Sequence, residues 1–454
     1  MGNQIGDGKN NANENSLSVN GREVGKHNAG EVNAEEMISQ EELISEPVEL
    51  PAAGPREKKA PAIEPLQPLP YKDKAEIANE KHKKRVRTRV ILGIVAALVG
   101  VIVGIVAFAY WYKDYLLNKI TYETTAEGDN IVITIVNESG ETVALSDVTE
   151  STEHEIIEED HIKNYLLIGI DSRSRSYTSN GRGSRADVIM IMSVDTEAKT
   201  IKLVSIARDS YAYYPGYSTP GKINAAMNYG GPALLQATVE NQLRITIDGY
   251  AYVNFFNMAS IINAVGGCYV NMTSGELGVA NMHLNALYHG EATPISSTGN
   301  GTWLNGQQAV AYARIRYVGN GDYERMERQV EVLQSVLNQF MAMSATGKLS
   351  AMDDVLSCIV TNVPKEEIER YAFEFLPSLN DFDIQYLQLP IRGCYNAGMY
   401  GNEWSIRANW NAMIPYVQEF FYGETTTFDE VRLPKHVPSL SRCDTDIPIE
   451  DLIE

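Results

Sequence analysis

The sequence predicts an α/β domain over residues 164–423, preceded by a single membrane helix. Short runs rich in Ile and Val alternate with helical patterns from Asn164 onward, which is typical of α/β domains. Charged residues stand at the ends of these runs, and a long segment without any charge precedes them. Together these observations predict a membrane helix that serves as an anchor, followed by a domain that carries a charged site.

Three apolar runs, at 165–170, 188–194 and 201–206, are predicted strands. The short connection at 195–200 predicts that the second and third runs form a hairpin. If the loop after the first run also joins antiparallel neighbours, the charged residues at the strand ends meet at one edge of the sheet. These residues are Asp171, Asp187, Arg208 and Asp209. Such an edge suits a charged substrate.

Composition limits the possible partners. A formal net charge of −21 and a pI near 4.8 argue against a general nucleic-acid binder, which would carry a basic face. The four cysteines have no CxxC spacing, so a zinc site is not expected. They are either free buried thiols or disulfides in one of three connectivities, and the sequence does not distinguish these: Cys268, Cys358, Cys394 and Cys443.

Residues 90–112 form the predicted membrane helix, since these 23 residues carry no charge. At about 1.5 Å per residue they span about 34 Å, enough to cross the hydrocarbon core. Six Lys and Arg residues at 81–89 precede the span, so residues 1–89 are expected in the cytoplasm and the remainder outside. A cleaved signal peptide fits less well, because the span is long and begins far from the N-terminus. Gly100 and Gly104 form a GxxxG pair, a weak indication of self-association through the helix.

Composition predicts the character of the segments outside the membrane helix and the domain. Residues 1–89 read as a disordered tail with a basic flank, 113–163 as an extracytoplasmic stalk, and 424–454 as a loose C-terminal tail. Within the domain, helices are predicted at 232–243 and 256–265, and strands at 250–255 and 268–272. Residues 273–302 are polar and rich in Gly, which predicts an irregular loop or lid.

A second charged segment follows this loop. Arg314 and Arg316 are two residues apart, so an extended chain would point both to one face. Asp322 is the predicted N-cap of a long helix with a buried stripe at positions 326, 330, 333, 337 and 340. Arg325 and Gln329 lie in its first two turns, where helix amides favour an anion. Converging arginines suit phosphate or pyrophosphate, although ordinary ion pairing with nearby carboxylates explains the spacing equally well.

Six ordered motifs resemble the LytR-CpsA-Psr family of bacterial cell-envelope phosphotransferases. They are GIDSR (169–173), RADVIMIMSVD (185–195), SIARDSY (205–211), PGKINAAMNYGG (220–231), LNGQQAVAYARIRY (304–317) and GDYERMERQ (321–329). The resemblance implies an α/β/α sandwich around a central mixed sheet, anchored in the bacterial cell membrane with the domain outside. It also implies a reaction: a glycopolymer moves from a polyprenyl-pyrophosphate lipid onto peptidoglycan, and polyprenyl phosphate is released.

The same resemblance assigns roles to residues of this sequence. Asp171 and Asp187 would hold Mg²⁺ or Mn²⁺, and Asp209 would orient Arg208 or act as a base. The pyrophosphate would be gripped by Arg208, Arg314, Arg316 and Arg325. Assisting residues would be Arg173, Arg185, Lys222 and Gln329.

Two other functions share this site. A pyrophosphatase would cleave the same lipids with water as the nucleophile, and a surface regulator would bind them without turnover. The glycopolymer, whether teichoic acid, capsule or another polymer, is left open by the sequence.

Overall fold

The computed structural model describes residues 74–123, 134–148, 157, 159–172, 183–316, 318, 321–371, 376–443 and 449–453. The chain divides into two units, 1–84 and 85–454. Only residues 74–84 of the first unit are described, and they form the beginning of a helix; all other described elements lie in the second unit.

Helix α1 (Lys74–Leu117) contains the predicted membrane segment. Its portion His82–Leu117 is the one helix in the described part of the chain that is long and apolar enough to cross a membrane. Many large apolar side chains between positions 90 and 111 are exposed, as Ile105 (62%) and Phe108 (60%) illustrate. Residues 74–89, expected to be part of a disordered tail, are helical, and residues 1–73 lie outside the described part.

A seven-stranded mixed sheet forms the centre of the domain, in the order β1-β12-β9-β4-β5-β6-β13. The predicted hairpin is confirmed, since β4, β5 and β6 are antiparallel neighbours, while β9 runs parallel to β4 and β13 to β6. The strands are β1 (Thr121–Tyr122), β4 (Ile162–Ile170), β5 (Ala186–Asp195), β6 (Thr200–Ile206), β9 (Gly249–Asn254), β12 (Val360–Thr361) and β13 (Asp383–Leu389).

Helices cover both faces of this sheet. On one face, Ile189 and Ile191 of β5 pack in a core with α3 (Ala225–Leu243) and α10 (Ile414–Tyr422). On the other face, Met190 packs with Val330 of α7 (Asp322–Ala342). Alternate residues of one strand thus enter opposite cores, as the pleat requires. The expected α/β/α sandwich is confirmed.

Local details of the helices differ from the predictions. The expected helix at 232–243 is the second part of α3, because Gly231 (φ 71°) breaks the helix just before Pro232. Helix α7 begins at Asp322 itself, with Gly321 at the N-cap position. Of its predicted stripe, Met326 and Val330 are buried and the later members are half-buried.

A second core lies beside the sheet, where an irregular loop was predicted at 273–302. That prediction is wrong: α5 (Ser274–Tyr288) and β11 (Gly299–Leu304) occupy the segment. A capping box between Thr273 and Glu276 starts α5, and β11 pairs with β10 (Cys268–Met272). The helix buries Ala280 and Leu284 against this core. The same core includes α4 (Phe255–Ala264) and α6 (Gly306–Tyr312).

The remaining elements are short. They are β2 (Thr134–Val136), β3 (Thr142–Ala144), α2 (Leu145–Val148), β7 (Tyr211–Ala212), β8 (Gly221–Lys222), α8 (Ala345–Leu356), α9 (Lys365–Arg370), β14 (Tyr395–Tyr400) and β15 (Glu403–Ala408). Single 3₁₀ turns lie at Leu376–Asp381, Trp410–Ala412, Leu440–Arg442 and Ile449–Asp451.

The segment expected to be a stalk belongs to the domain where it is described. Leu116 and Leu117, at the end of α1, are buried, and β1 follows within a few residues as a strand of the central sheet. Ion pairs join the same end of α1 to α8 and α9: Lys119 with Asp353, Lys113 with Glu369, and Asp114 with Lys365.

The C-terminal segment, expected to be loose, also packs on the domain. Val431 is buried in the main core, and its amide donates to Asn411 Oδ1 at 2.8 Å. The guanidinium of Arg244 donates to the carbonyl of Asp429. All four cysteines are buried free thiols, and burial raises the pKa of the Cys268 thiol to about 12.

Candidate functional site

The ends of β4, β5 and β6 bring the first charged residues together. Ile170 lies opposite Ala186, so Asp171 and Asp187 stand at the same edge of the sheet. The Asp171 amide donates to the carbonyl of Arg185 at 2.9 Å. The Arg208 guanidinium, just past the end of β6, donates to the Asp187 carboxylate. The geometry expected from the sequence is therefore present.

Asp209 is buried and stands among three cationic groups. Lys222 Nζ lies 3.0 Å from Asp209 Oδ1, while Arg208 Nε and Arg316 Nη2 lie 3.7 and 3.9 Å from Oδ2. The amide of Asn224 donates to the Arg208 carbonyl at 3.2 Å, which fixes the turn carrying both residues. Asp209 thus lies within ion-pair distance of all three cations.

Arg314 and Arg316 reach the site from a turn after α6, so the predicted extended segment is wrong. The helix ends at Tyr312, and Arg314 lies with its guanidinium 4.0 Å from the centre of the Phe255 ring. Its Nη1 lies 3.7 Å from Asp171 Oδ1 and 4.0 Å from Asp187 Oδ2. Stacking on an aromatic face holds an arginine in one orientation.

A buried ion pair holds this turn in place. Arg328 of α7 donates to the Glu276 carboxylate of α5 at 2.6 Å, and both side chains are buried. Its other nitrogens donate to the carbonyls of Ile315 and Val318, each at 3.3 Å. Burial opposes ionisation of Glu276, but hydrogen bonds from Thr273 and Arg328 outweigh it and hold the pKa of this carboxyl below its usual value. Sequence reasoning missed this pair, because its partners lie 52 residues apart along the chain.

Arg325 and Gln329 complete the site from α7. Arg325 is 3% exposed, and Gln329 Nε2 donates to the Ala313 carbonyl at 3.4 Å. Arg173 lies outside the described residues. The other predicted site residues line one or both of two adjoining cavities.

The smaller cavity has a volume of about 320 Å³ and a lining of two chemical kinds. The charged part of the lining includes the carboxylates of Asp171 and Asp187 and the guanidinium of Arg314, and the rest is largely apolar. The apolar lining includes Val253, Met258, Ile262, Val310 and Val332. This shape suits a molecule with a charged head and a hydrocarbon tail.

The larger cavity has a volume of about 1070 Å³ and is lined by Asp209 and Lys222. Arg185, Arg208 and Arg316 line both cavities, so the two meet at these guanidinium groups.

Cationic groups outnumber carboxylates where the cavities meet. Together the two cavities are lined by seven cations, Arg185, Arg208, Lys222, Arg314, Arg316, Arg325 and Arg392, and by four carboxylates, Asp171, Asp187, Asp209 and Glu327. Arg314 Nη1 is buried and has no hydrogen-bond partner within the described ranges. A buried donor without a partner is costly, so an anion that accepts from it would stabilise the arrangement.

The carboxylates also allow a divalent cation. Nowhere in the described segments do three or more His, Cys, Asp and Glu side chains gather around one point. Asp171 and Asp187 both approach Arg314, however, and two carboxylates suffice for Mg²⁺ when phosphate oxygens and water complete its shell. The donor set fits such an ion.

His283 of α5 lines the smaller cavity and was missed from the sequence. Burial, with a contribution from Arg314, lowers the pKa of its imidazole below the usual value, so the neutral form is favoured. Only a correct prediction of α5 would have directed attention to it.

Comparison with known proteins identifies relatives of this chain. The model of the LytR_cpsA_psr family matches residues 129–414. The polyisoprenyl-teichoic acid–peptidoglycan teichoic acid transferase TagU of Enterococcus faecalis is 30% identical over 306 residues, covering 66% of this chain and 86% of the relative. Regulatory protein MsrR of Staphylococcus aureus is 30% identical over 255 residues, covering 54% and 71%. The crystal structure of protein gbs0355 from Streptococcus agalactiae has the same fold at 20% identity, with a TM-score of 0.52 over 63% of this chain and 96% of that one.

Proposed function

This chain belongs to the LytR-CpsA-Psr family, and we propose that it is a membrane-anchored phosphotransferase that attaches a glycopolymer to peptidoglycan. The donor is a glycan joined through pyrophosphate to a polyprenyl lipid. A peptidoglycan hydroxyl oxygen forms a bond to the glycan-linked phosphorus, and the bond from that phosphorus to the polyprenyl phosphate oxygen breaks. The released polyprenyl phosphate carries the hydroxyl proton in the overall balance.

The observation that carries the proposal is that the smaller cavity is lined both by a cluster of cations and by apolar side chains. The guanidinium groups of Arg208, Arg314 and Arg325 can bind pyrophosphate oxygens. The apolar side chains of the lining accommodate the first part of a polyprenyl chain. Phosphoryl transfer depends mainly on positioning and charge neutralisation, which this arrangement supplies.

Individual residues have different roles in this proposal. The arginines stabilise the charge that develops on the leaving polyprenyl phosphate. Asp209 holds Arg208, Arg316 and Lys222 in position, because its carboxylate already lies among all three. Asp171 and Asp187 would bind Mg²⁺ or Mn²⁺, which supplies further neutralisation of the phosphate oxygens when bound.

The membrane helix supports the same reaction. Anchoring by α1 keeps the site close to a lipid-borne donor and raises its effective concentration. The basic flank at 81–89 favours an arrangement with the N-terminus in the cytoplasm and the domain outside the bacterial cell membrane.

The test uses full-length protein in lipid nanodiscs with a polyprenyl-pyrophosphate N-acetylglucosamine lipid and peptidoglycan strands, with and without Mg²⁺. Release of polyprenyl monophosphate and glycan bound to peptidoglycan are both measured. We expect Arg208→Ala and Asp187→Ala to reduce transfer at least about a hundredfold, the usual effect of removing a group that stabilises transition-state charge. Arg370→Ala is the matched control, since Arg370 is 46% exposed in its ion pair with Glu367 and lines neither cavity.

The outcomes separate the three functions. Cleavage of the lipid without glycan on peptidoglycan would support a pyrophosphatase. Binding without turnover would support a regulator, a reading to which the name of the Staphylococcus relative gives weight. Equal rates for the wild type and Arg208→Ala would refute the proposed site.

A further inference from the structure

We infer that the larger cavity is the subsite for the acceptor glycan strand, and that Trp404 and Tyr395 supply the faces on which its sugar rings stack. This inference rests on the proposed function and adds where the second substrate binds. Both aromatic residues belong to the hairpin of β14 and β15.

The hairpin forms one wall of this cavity. Its register pairs Tyr395 with Ala408, Ala397 with Ile406, and Met399 with Trp404. Because side chains alternate along a strand, the members of these three pairs point to the same face. Tyr395, Ala397 and Trp404 line the cavity from that face.

The hairpin is hydrogen-bonded to the turn that carries Arg208 and Asp209. Ile406 is buried, and its amide donates to the carbonyl of Asp209 at 3.0 Å. Lys222 lies 3.4 Å from Glu403 and 3.0 Å from Asp209, so one cation joins the hairpin to the site. A ligand bound by the hairpin is therefore held at a fixed position relative to the phosphate-binding residues.

The aromatic groups are arranged for stacking. Tyr395 stacks on Tyr323 with ring centres 5.2 Å apart and an angle of 25° between the planes. The Tyr323 hydroxyl donates to the Pro390 carbonyl at 3.0 Å, which fixes the pair. Trp404 is 41% exposed and lines the larger cavity, and the half-buried Tyr395 lines it as well. Sugars present apolar C–H faces and polar edges, and accessible indole and phenol rings bind such amphipathic surfaces.

The direction of the reaction assigns this cavity to the acceptor. Attacking and leaving oxygens lie roughly in line through the phosphorus. The polyprenyl chain of the leaving phosphate lies along the apolar side chains of the smaller cavity. The attacking hydroxyl therefore has to approach from the other side of the cation cluster. The larger cavity meets the cluster there, at Arg185, Arg208 and Arg316.

The size and lining of the cavity agree with a strand of several sugars. Its volume of about 1070 Å³ exceeds that of most pockets for one small molecule, which have about 300–1,000 Å³. Arg392, exposed at its edge, is available to carboxylates on the peptide stems of peptidoglycan.

Binding is tested first, independently of turnover. Full-length protein in nanodiscs is titrated calorimetrically with a soluble peptidoglycan tetrasaccharide. We expect Trp404→Ala to weaken binding roughly tenfold, Trp404→Phe to restore it to within about threefold of the wild type, and Trp303→Ala to leave it unchanged. Trp303 is the matched control because its side chain is similarly exposed (49%) and lines neither cavity. Equal affinity of the wild type and Trp404→Ala would overturn the inference.

Turnover then distinguishes acceptor from donor. With the lipid donor, Trp404→Ala should raise the acceptor KM roughly tenfold and leave both kcat and the cleavage of donor without acceptor unchanged. Slower cleavage of the donor alone would overturn the inference, because Trp404 would then contact the donor. If the wild type cleaves no donor, the proposed function fails, while the calorimetric result still decides where the glycan binds. Melting temperatures of the variants verify that each one is folded.

Discussion

A single methyl group added at Gly306 tests how α6 is seated against α4. A Cβ atom at this position would lie 1.8 Å from the Ala259 carbonyl oxygen and 2.6 Å from its carbonyl carbon. Both are backbone atoms, so no side chain can rotate away. Contact distances near 3.5 Å require α6 to move by roughly 1.5 Å. We expect Gly306→Ala to lower the free energy of unfolding by about 3 kcal/mol, the upper part of the range for overpacked cores.

The displacement should also reach the site. Helix α6 lines the smaller cavity with Ala309 and Val310 and ends just before Arg314. A shift of about 1 Å in a positioning element can cost about a hundredfold in rate. We therefore expect the variant to lose transfer activity even at temperatures where it is folded.

Urea unfolding of full-length protein, followed by circular dichroism, measures the effect. Gly278→Ala is the control, because Gly278 lies within α5 and nothing stands within 4 Å of its added Cβ. Alanine is favoured over glycine inside a helix, so this variant should gain about 0.5–1 kcal/mol. If Gly306→Ala unfolds at the same urea concentration as the wild type, the close approach of α6 to α4 is refuted.

Two further predictions concern ionisable groups. Arg328→Met leaves the Glu276 carboxylate buried without its cation, so we expect a loss of about 3–5 kcal/mol in unfolding free energy, and the double variant with Glu276→Gln should recover part of it. Identical urea midpoints for the single and double variants would contradict this coupling. Burial and Arg314 lower the pKa of His283 in the folded state, so the unfolded chain binds more protons between the folded and unfolded pKa values. Stability should therefore fall as the pH drops from about 6.5 through the folded pKa, and His283→Asn should flatten this part of a melting-temperature profile between pH 5 and 8. Parallel profiles for the two proteins would refute the assignment.

The centre of the fold and most of the site could be predicted because local signals agreed with geometry. Continuous apolar runs at β4, β5 and β6 ended at charged residues, and antiparallel pairing then placed Asp171, Asp187 and Arg208 at one edge. The apolar run of β5 is continuous because its two faces enter two apolar cores.

Two elements were missed for different reasons. Helix α5 has a polar composition, but Leu277, Ala280, Leu284 and Leu287 recur at helical spacing and its capping box is visible in the sequence, so local signals were available. Strand β1 has two residues and pairs with the equally short β12, so no periodicity could reveal it.

The junction between α1 and the domain has a mechanical consequence. Leu116 and Leu117 are buried, three ion pairs join the helix end to α8 and α9, and β1 follows within a few residues. Packing and ion pairs at the helix end transmit its orientation to the domain. With α1 in a bilayer, a tilt of the helix would therefore tilt the domain, and the mouths of both cavities would turn with it. Lateral diffusion and rotation about the bilayer normal would then move the cavities over the membrane without changing their angle to the lipid surface.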